Sequence, residues 1–319
     1  MGIARLARKF GQAISPVRIS VSEVAASFEE FEKSTLRRDP TWPDSGHLSD
    51  ARLMLDLEFV ERTDTGRVRD HNEDYFGYVA PATPAQVRSH GWLFALADGV
   101  GGHEMGEVAS RAAIESMLAG FKGSPGGESH TALLPRLVQK ANAHVFETAV
   151  AGGRASAGMA TTIVACALRF DRVVVAHAGD SRCYLIRNGK AVQLTRDHTV
   201  ANEQLRLGLV SAQEAGQGST RHILSRSLGT EMIVNVDTND HQVLPGDVLL
   251  LCSDGLHGSV EGSEMAALCS HGLDLLGAAE KLVALANERD GSDNVSVQLI
   301  RVRDVERMGM YRGRPYKLY

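Results

Sequence analysis

Four aspartates share one setting in this 319-residue chain. Asp98 ends the apolar run FALAD, Asp180 follows VVVAHAG, Asp254 ends LLLCSD and Asp293 precedes NVSVQLI. Each sits where a hydrophobic strand starts or stops, and strand ends place side chains on one rim of a rigid sheet. Glu73 and Asp74 stand in the turn NED just before a fifth strand-like run. A lone aspartate at a strand end is ordinarily a turn residue or helix cap. Six carboxylates in one pattern point instead to a shared rim. Carboxylates gathered there repel one another unless a cation neutralises them. Few of the histidines accompany these aspartates at ligand spacing. That disfavours zinc and favours hard cations with oxygen ligands, Mg²⁺ or Mn²⁺. Two such ions roughly 3.5–4 Å apart can hold a bridging water, lower its pKa and clamp a phosphoryl oxygen during in-line attack.

The loop after Asp98 carries Gly99, Gly101, Gly102 and Gly106 and allows two readings. The glycines could cradle a phosphate with their N–H groups, or give clearance around a metal-binding carboxylate. No lysine follows them, so GxxxxGK[ST] is absent, and GxGxxG is not matched either. Clearance is the better-supported reading, and it lets the Gly99 carbonyl turn toward a metal. Arg69, four residues before Glu73 in RVRDHNED, offers a guanidinium fork to two phosphate oxygens. Arg67 competes for that role. Cys166 and Arg172 have the spacing of a cysteine phosphatase, but the residues between them have no glycine and continue a strand. Strand N–H groups are committed to the ladder and cannot encircle a phosphate, so this match reads as chance.

The elements that must position these residues follow from periodicity. LDLEFVERTD, YFGYVA, GWLFALAD, MATTIVACALRF, RVVVAHAGD, SRCYLIRNGKAVQLT, DVLLLCSD and DNVSVQLIRVR read as strands. A turn is expected around Asp171–Arg172, and Asn188–Gly189 signals a hairpin. EVASRAAIESMLAGF and TALLPRLVQKANAHVFETAV are helical, as are stretches around Glu261 to Cys269 and Leu273 to Arg289. DHTVANEQLRLGLVSAQEAGQGSTRHILSRSLG reads as a helical hairpin and loop with no strong strand. Strands, two helices, many strands, two helices and a strand do not alternate as a parallel sheet requires. The expectation is an α+β fold: two antiparallel sheets face to face with a helix pair outside each.

Composition narrows the rest. A net charge of −5 gives no reason to expect nucleic acid. No uncharged apolar stretch reaches spanning length. The four cysteines have no CxxC spacing, and free buried thiols suit a reducing cytosol. MGIARLARKFGQAIS has apolar residues at helical spacing with Arg5, Arg8 and Lys9 on the other side, a short basic amphipathic helix. It docks on its own domain or frays, or it serves a membrane surface or a partner. The expected organisation is an extension over residues 1–52, a catalytic domain over 53–304 and a tail over 305–319.

RVRDHNED, ALADGVGGHEMGEVAS, GMATTIVACAL, AHAGDSRCYLIRNG, LTRDHT, SRSLG, LCSDGL and GSDNVSVQLI resemble, in order, the motifs of metal-dependent protein Ser/Thr phosphatases, the PPM or PP2C-like family, in its bacterial branch. The resemblance implies a four-layer αββα sandwich with two Mn²⁺ or Mg²⁺ ions between the sheets, and hydrolysis of phosphoserine and phosphothreonine by a metal-activated water. It implies that Asp98 bridges both ions, that the Gly99 carbonyl binds one, and that Asp254 and Asp293 hold the other. Glu73 and Asp74 would bind directly or through metal waters, Arg69 would take the phosphate, and Asp180 would serve a third, weaker site. The implied partners are phosphoproteins and a cognate Ser/Thr kinase, for a cytoplasmic monomer with no nucleic acid or membrane partner. Three positions depart from the pattern. Val100 stands where animal members carry a histidine acid, which leaves leaving-group protonation to a water or to His103. Gly258 replaces a carboxylate of the third site. The segment from about His198 to Arg226 would be the flap beside the site, and there GQGSTRHILSRSLG lacks the His-Pro common in bacterial relatives.

Overall fold

The structure, a computed structural model, describes residues 55–305 apart from short stretches at 101–103, 154–157, 219 and 271–273, together with strands at 308–311 and 314–317. The chain divides into units 1–47 and 48–319, and every described residue lies in the second. The expected basic helix at the N-terminus and the boundary near residue 52 fall outside the described residues, as does His103.

The elements run β1 (Leu55–Asp64), β2 (Asp74–Val79), α1 (Pro84–Ser89), β3 (Trp92–Val100), α2 (Glu104–Lys122), α3 (His130–Gly152), β4 (Ala160–Thr161), β5 (Ile163–Arg169), β6 (Arg172–Ala178), β7 (Arg182–Arg187) and β8 (Lys190–Gln193). They continue with α4 (Val200–Arg206), α5 (Ala212–Gln217), β9 (Asp237–Gln242), β10 (Val248–Cys252), α6 (Asp254–His257), α7 (Gly262–Ser270), α8 (Leu275–Arg289), β11 (Val295–Val305), β12 (Met308–Tyr311) and β13 (Arg314–Lys317). One sheet has the order β1-β11-β10-β7-β8 and the other β2-β3-β5-β6-β9, with β4 paired to β3. All these pairings are antiparallel.

Strand alternation builds the layers. Side chains two apart share a sheet face. Leu93, Ala95 and Ala97 of β3 pack with Ile163, Ala165 and Ala167 of β5 against Ile114, Met117 and Phe121 of α2 and Leu134, Leu137 and Val138 of α3. The intervening Phe94, Leu96, Val164, Cys166 and Leu168 meet Cys183, Leu249, Leu251 and Ile300 of the other sheet. On the far side Val248, Leu250, Val297 and Leu299 pack under Met265 of α7 and Leu282 of α8. Both central strands are therefore apolar on both faces, which is why FALAD and LLLC read as continuous runs rather than alternating ones. The expected αββα sandwich is the observed fold.

Local chemistry explains the edges. The hairpin at Asn188–Gly189 has φ of 51° and 72°, as a two-residue primed turn requires. The turn between β5 and β6 falls on Phe170–Asp171, one residue before the expected place, with Arg169 paired to Arg172. Helix α8 starts at Leu275 because the Asp274 side chain caps it, accepting from the Gly277 N–H at 2.7 Å. The polar strand β9, DTNDHQ, has no apolar alternation to betray it; it forms by pairing with β6 at the sheet edge.

Candidate metal centre

Asp74 opens β2 directly opposite Asp98 in the β2–β3 register. Asp98 continues the face of Phe94 and Leu96, so it enters the space between the sheets where the apolar filling ends. From the facing sheet, Asp254 begins α6 just after β10, and Asp293 lies just ahead of β11. Asp180 occupies the crossing from β6 in one sheet to β7 in the other. Asp98 and Asp254 approach within hydrogen-bond reach of each other. The sandwich thus gathers at one rim the aspartates that the sequence scatters over some two hundred positions.

Burial and mutual repulsion shape their titration. Asp98 is pushed well above the usual carboxylate range, by burial first and then by Asp74, Asp254, Asp180 and Asp293. Asp74 is pushed up to about 7 by burial, against hydrogen bonds from Ser296 and Ser253, with Asp254 and Asp293 adding to the rise. Asp180 is also pushed up to about 7, by burial and then by Asp254 and Asp197. Asp254 is raised by burial and by Asp293. Two buried oxygens, Asp74 Oδ1 and Asp254 Oδ1, have no hydrogen-bond partner. An unpartnered buried carboxylate oxygen is costly, and several carboxylates around such oxygens suit hard divalent cations with all-oxygen ligation. The residues present fit a Mg²⁺ or Mn²⁺ centre.

A pH dependence follows. The folded pKa values of Asp74 and Asp180 lie above the unfolded ones, so protonation favours the metal-free fold as pH falls through about 7. A cation must displace those protons. The rise in Tm on adding Mn²⁺ to EDTA-treated protein is expected to be largest at pH 8 and to shrink by pH 6. A pH-independent shift in paired thermal melts would show that these carboxylates do not bind the metal.

Hydrogen bonds seat the cluster. Ser253 Oγ donates to Asp74 Oδ2 at 2.8 Å, and the Ser296 N–H donates to Ser253 Oγ at 3.0 Å. The Asp98 N–H donates to Thr162 Oγ1 at 2.9 Å, and the Thr162 N–H donates to the Asp98 carbonyl at 2.9 Å. Asn294 organises the loop before β2: its Nδ2 donates to the Thr65 and His71 carbonyls at 2.9 and 3.0 Å, and its Oδ1 accepts from the Glu73 N–H at 2.8 Å. These polar supports escaped the sequence reading; Asn294 and Ser253, each beside an aspartate of the pattern, were the available signal. The two arginines of this loop are bonded differently. Arg67 donates its main-chain N–H to the Gly291 carbonyl at 2.7 Å. Arg69 Nη2 donates to Asp293 Oδ2 at 2.8 Å, bringing the guanidinium to the rim.

Gly99 and Gly106 lie back to back. A Cβ on Gly99 would lie 2.3 Å from the Gly106 carbonyl and 2.7 Å from the Glu73 carbonyl, and one on Gly106 would lie 2.8 Å from the Glu73 carboxyl. The Gly99 N–H also donates to the Glu73 carbonyl at 3.1 Å. Backbone cannot yield as a side-chain tip can, so Gly99→Ala is expected to destabilise by roughly 1–3 kcal/mol. Thermal melts check this, and an unchanged Tm would show that the loop relaxes freely.

Comparison with known proteins agrees with this geometry. A family model described as Protein phosphatase 2C matches residues 66–287. The chain belongs to the protein phosphatase 2C family. It is 36% identical over 256 residues to the serine/threonine phosphatase Stp of Listeria innocua, covering 79% of this chain and 97% of that one. Among solved structures, Stp1 from Staphylococcus aureus superposes with a TM-score of 0.71 at 31% identity, covering 81% of this chain and 99% of that one. The catalytic domain of the phosphatase PstP, solved with two manganese ions, superposes with a TM-score of 0.65 at 33% identity, over 78% of this chain and 99% of that one.

In this protein phosphatase 2C chain a cleft of about 310 Å³ opens beside the rim, walled by Asp180 and Asp254 on one side and by Asn202, Ala215, Arg221 and His222 of the flap on the other. Gly258, the α6 cap, lines it and brings no carboxylate of its own. Asp197 faces the same cleft but is held by Arg182 in a two-pronged pair at 2.9 and 2.6 Å. His257 Nε2 donates to the Asp180 carbonyl at 3.0 Å, and burial pushes its pKa down to about 3, so the ring stays neutral. Val100 is 39% exposed at the end of β3. Cys166 is buried between the sheets, and burial pushes its thiol far up, so the Cys166–Arg172 spacing makes no nucleophile. All four cysteines are free and buried. Among the described residues no helix is long and apolar enough to cross a membrane.

Proposed function

We infer that this chain is a protein serine/threonine phosphatase that releases phosphate from phosphoserine and phosphothreonine by direct attack of water. One observation carries the reading: carboxylates from both sheets meet at one rim, with two of their buried oxygens unpartnered and an arginine beside them. Asp98, Asp254 and Asp293 would hold two Mn²⁺ or Mg²⁺ ions, with the Gly99 carbonyl, Glu73 and Asp74 completing the set directly or through waters. Asp180 would serve a third, weaker site. When bound, the ions supply an acidified water and positive charge against the phosphoryl oxygens. Arg69 binds the phosphate, and its pair with Asp293 aims the fork at the rim. Thr162 and Asn294 fix the backbone at Asp98 and Glu73 so that little reorganisation accompanies the reaction.

The catalytic domain would span 53–304, with residues 1–52 an extension and 305–319 a tail. The chain would act as a monomer in the cytosol, opposing a Ser/Thr kinase; of these, the free buried thiols support the reducing compartment. The open cleft beside the rim favours a phosphoprotein over a small ester, because it leaves room for chain on one side of the phosphate. Phosphate release from a phosphothreonine peptide is expected with Mn²⁺, none with EDTA, and far less from nucleotides. Faster turnover of nucleotides would overturn the protein-substrate reading.

A further inference from the structure

A second group of buried titratable side chains lies outside the rim. His177, His198 and Asp237 place ligand atoms within 4.8 Å of one another, a spacing that would suit a metal ion. Their orientation does not. The imidazoles stack with centroids 4.7 Å apart and planes 9° from parallel, so their in-plane lone pairs do not converge. Asp237 is also held by Arg196 Nη2 at 3.0 Å and Arg226 Nη1 at 2.8 Å, two cations that would repel an ion.

We propose that this group is a clamp, and that His198 is a positioning residue fixing the flap to the crossing that carries Asp180. His198 is fully buried. Its N–H donates to the Gly179 carbonyl at 2.9 Å, and the Gly179 N–H donates back to its Nδ1 at 3.2 Å. With Nδ1 accepting from Gly179, the ring proton is left for Nε2, which faces Asp237 Oδ2 at 3.3 Å, with Arg226 Nη1 beside it at 3.2 Å and bonded to the other oxygen of Asp237. The His198 carbonyl accepts from the Ser225 N–H at 2.8 Å, where the flap returns. One residue thus ties the turn before Asp180, both ends of the flap and edge strand β9. Around it the flap legs close on each other: the Val200 N–H donates to the Ile223 carbonyl at 2.8 Å, and Arg226 reaches Glu203 at 3.5 Å.

The clamp continues to the reacting centre. Gly179 has φ of +115°, and a Cβ there would lie 2.6 Å from Thr162 Cβ. Thr162 in turn bonds the Asp98 backbone in both directions. Imidazole suits the place because one rigid ring offers an acceptor on one edge and a donor on the other. A phosphopeptide in the cleft leans on the flap that His198 anchors, whereas a small aryl phosphate needs only the rim. This consequence rests on the phosphatase reading.

The test compares wild type, His198→Ala and His198→Asn, whose Oδ1 keeps an acceptor near the Gly179 N–H. In His198→Ala, amide exchange across residues 199–225 is expected to quicken by about tenfold while β3 is unchanged. KM for a phosphopeptide rises by about tenfold, and kcat on p-nitrophenyl phosphate stays within about threefold. His198→Asn falls between. Unchanged flap exchange, or equal quickening in the flap and β3, would overturn the clamp. If His198→Ala does not fold, Asp237→Asn decides: faster flap exchange supports the clamp and unchanged exchange overturns it. A wild type that turns over no phosphopeptide strikes the phosphatase reading instead, leaving the exchange data to judge the clamp.

Discussion

Asp98→Asn is expected to lower Mn²⁺-dependent kcat on a phosphopeptide by at least about 10³-fold, the loss of several kcal/mol of metal-based stabilisation. The substitution keeps size and the strand position opposite Asp74. It removes the charge of a carboxylate already pushed well upward by burial and four neighbouring aspartates. Loss of activity should therefore come without loss of fold. In EDTA the Tm of Asp98→Asn should equal or exceed that of wild type, because one repelling group has left the cluster. The Mn²⁺-induced rise in Tm should nearly vanish. Residual activity above a tenth of wild type would exclude Asp98 as a shared ligand. Lost activity with a collapsed Tm in EDTA would mark it as structural.

Arg69→Ala is expected to lower kcat/KM by roughly 10–100-fold, from the worth of hydrogen bonds to a charged partner. Arg69→Lys should recover only part, since an ammonium keeps the charge but not the fork. The pair with Asp293 offers a rival explanation, that Arg69 merely holds a metal ligand in place. Metal titration separates the two. Removing a cation beside a carboxylate cluster leaves Mn²⁺ affinity equal or slightly stronger. If the Mn²⁺ requirement instead weakens in step with activity, Arg69 acts through Asp293 and not on the phosphate.

Much of the site was legible because metal chemistry repeats one residue type in one setting. Asp98, Asp180, Asp254 and Asp293 could be singled out from their places at strand ends, and all four meet at the rim. The supports were not legible. Asn294, Ser253 and Thr162 act through hydrogen bonds to groups from 43 to 229 positions away, and nothing local distinguishes them from ordinary turn and strand residues. His198 was visible only as a letter in a flap motif; its role depends on Gly179, in the crossing after β6, and on Asp237, which opens β9. The polar edge strand β9 was missed for the same reason, since its pairing with β6 makes it a strand.

The amino-acid sequence by itself determined the layers and the chemistry. Strand-length runs that are apolar throughout demand sheets covered on both faces, by each other and by helices outside, and an all-oxygen acidic set demands a hard cation. Only the tertiary structure shows which arginine side chain lies at the rim with the carboxylates: the Arg69 guanidinium reaches Asp293, a contact set by the path of the loop before β2. It also decided what the glycines are for. Gly99 and Gly106 have no room for a Cβ because two backbones and Glu73 converge there, a crowding that exists only once the β3 end, α2 and the loop before β2 are packed together.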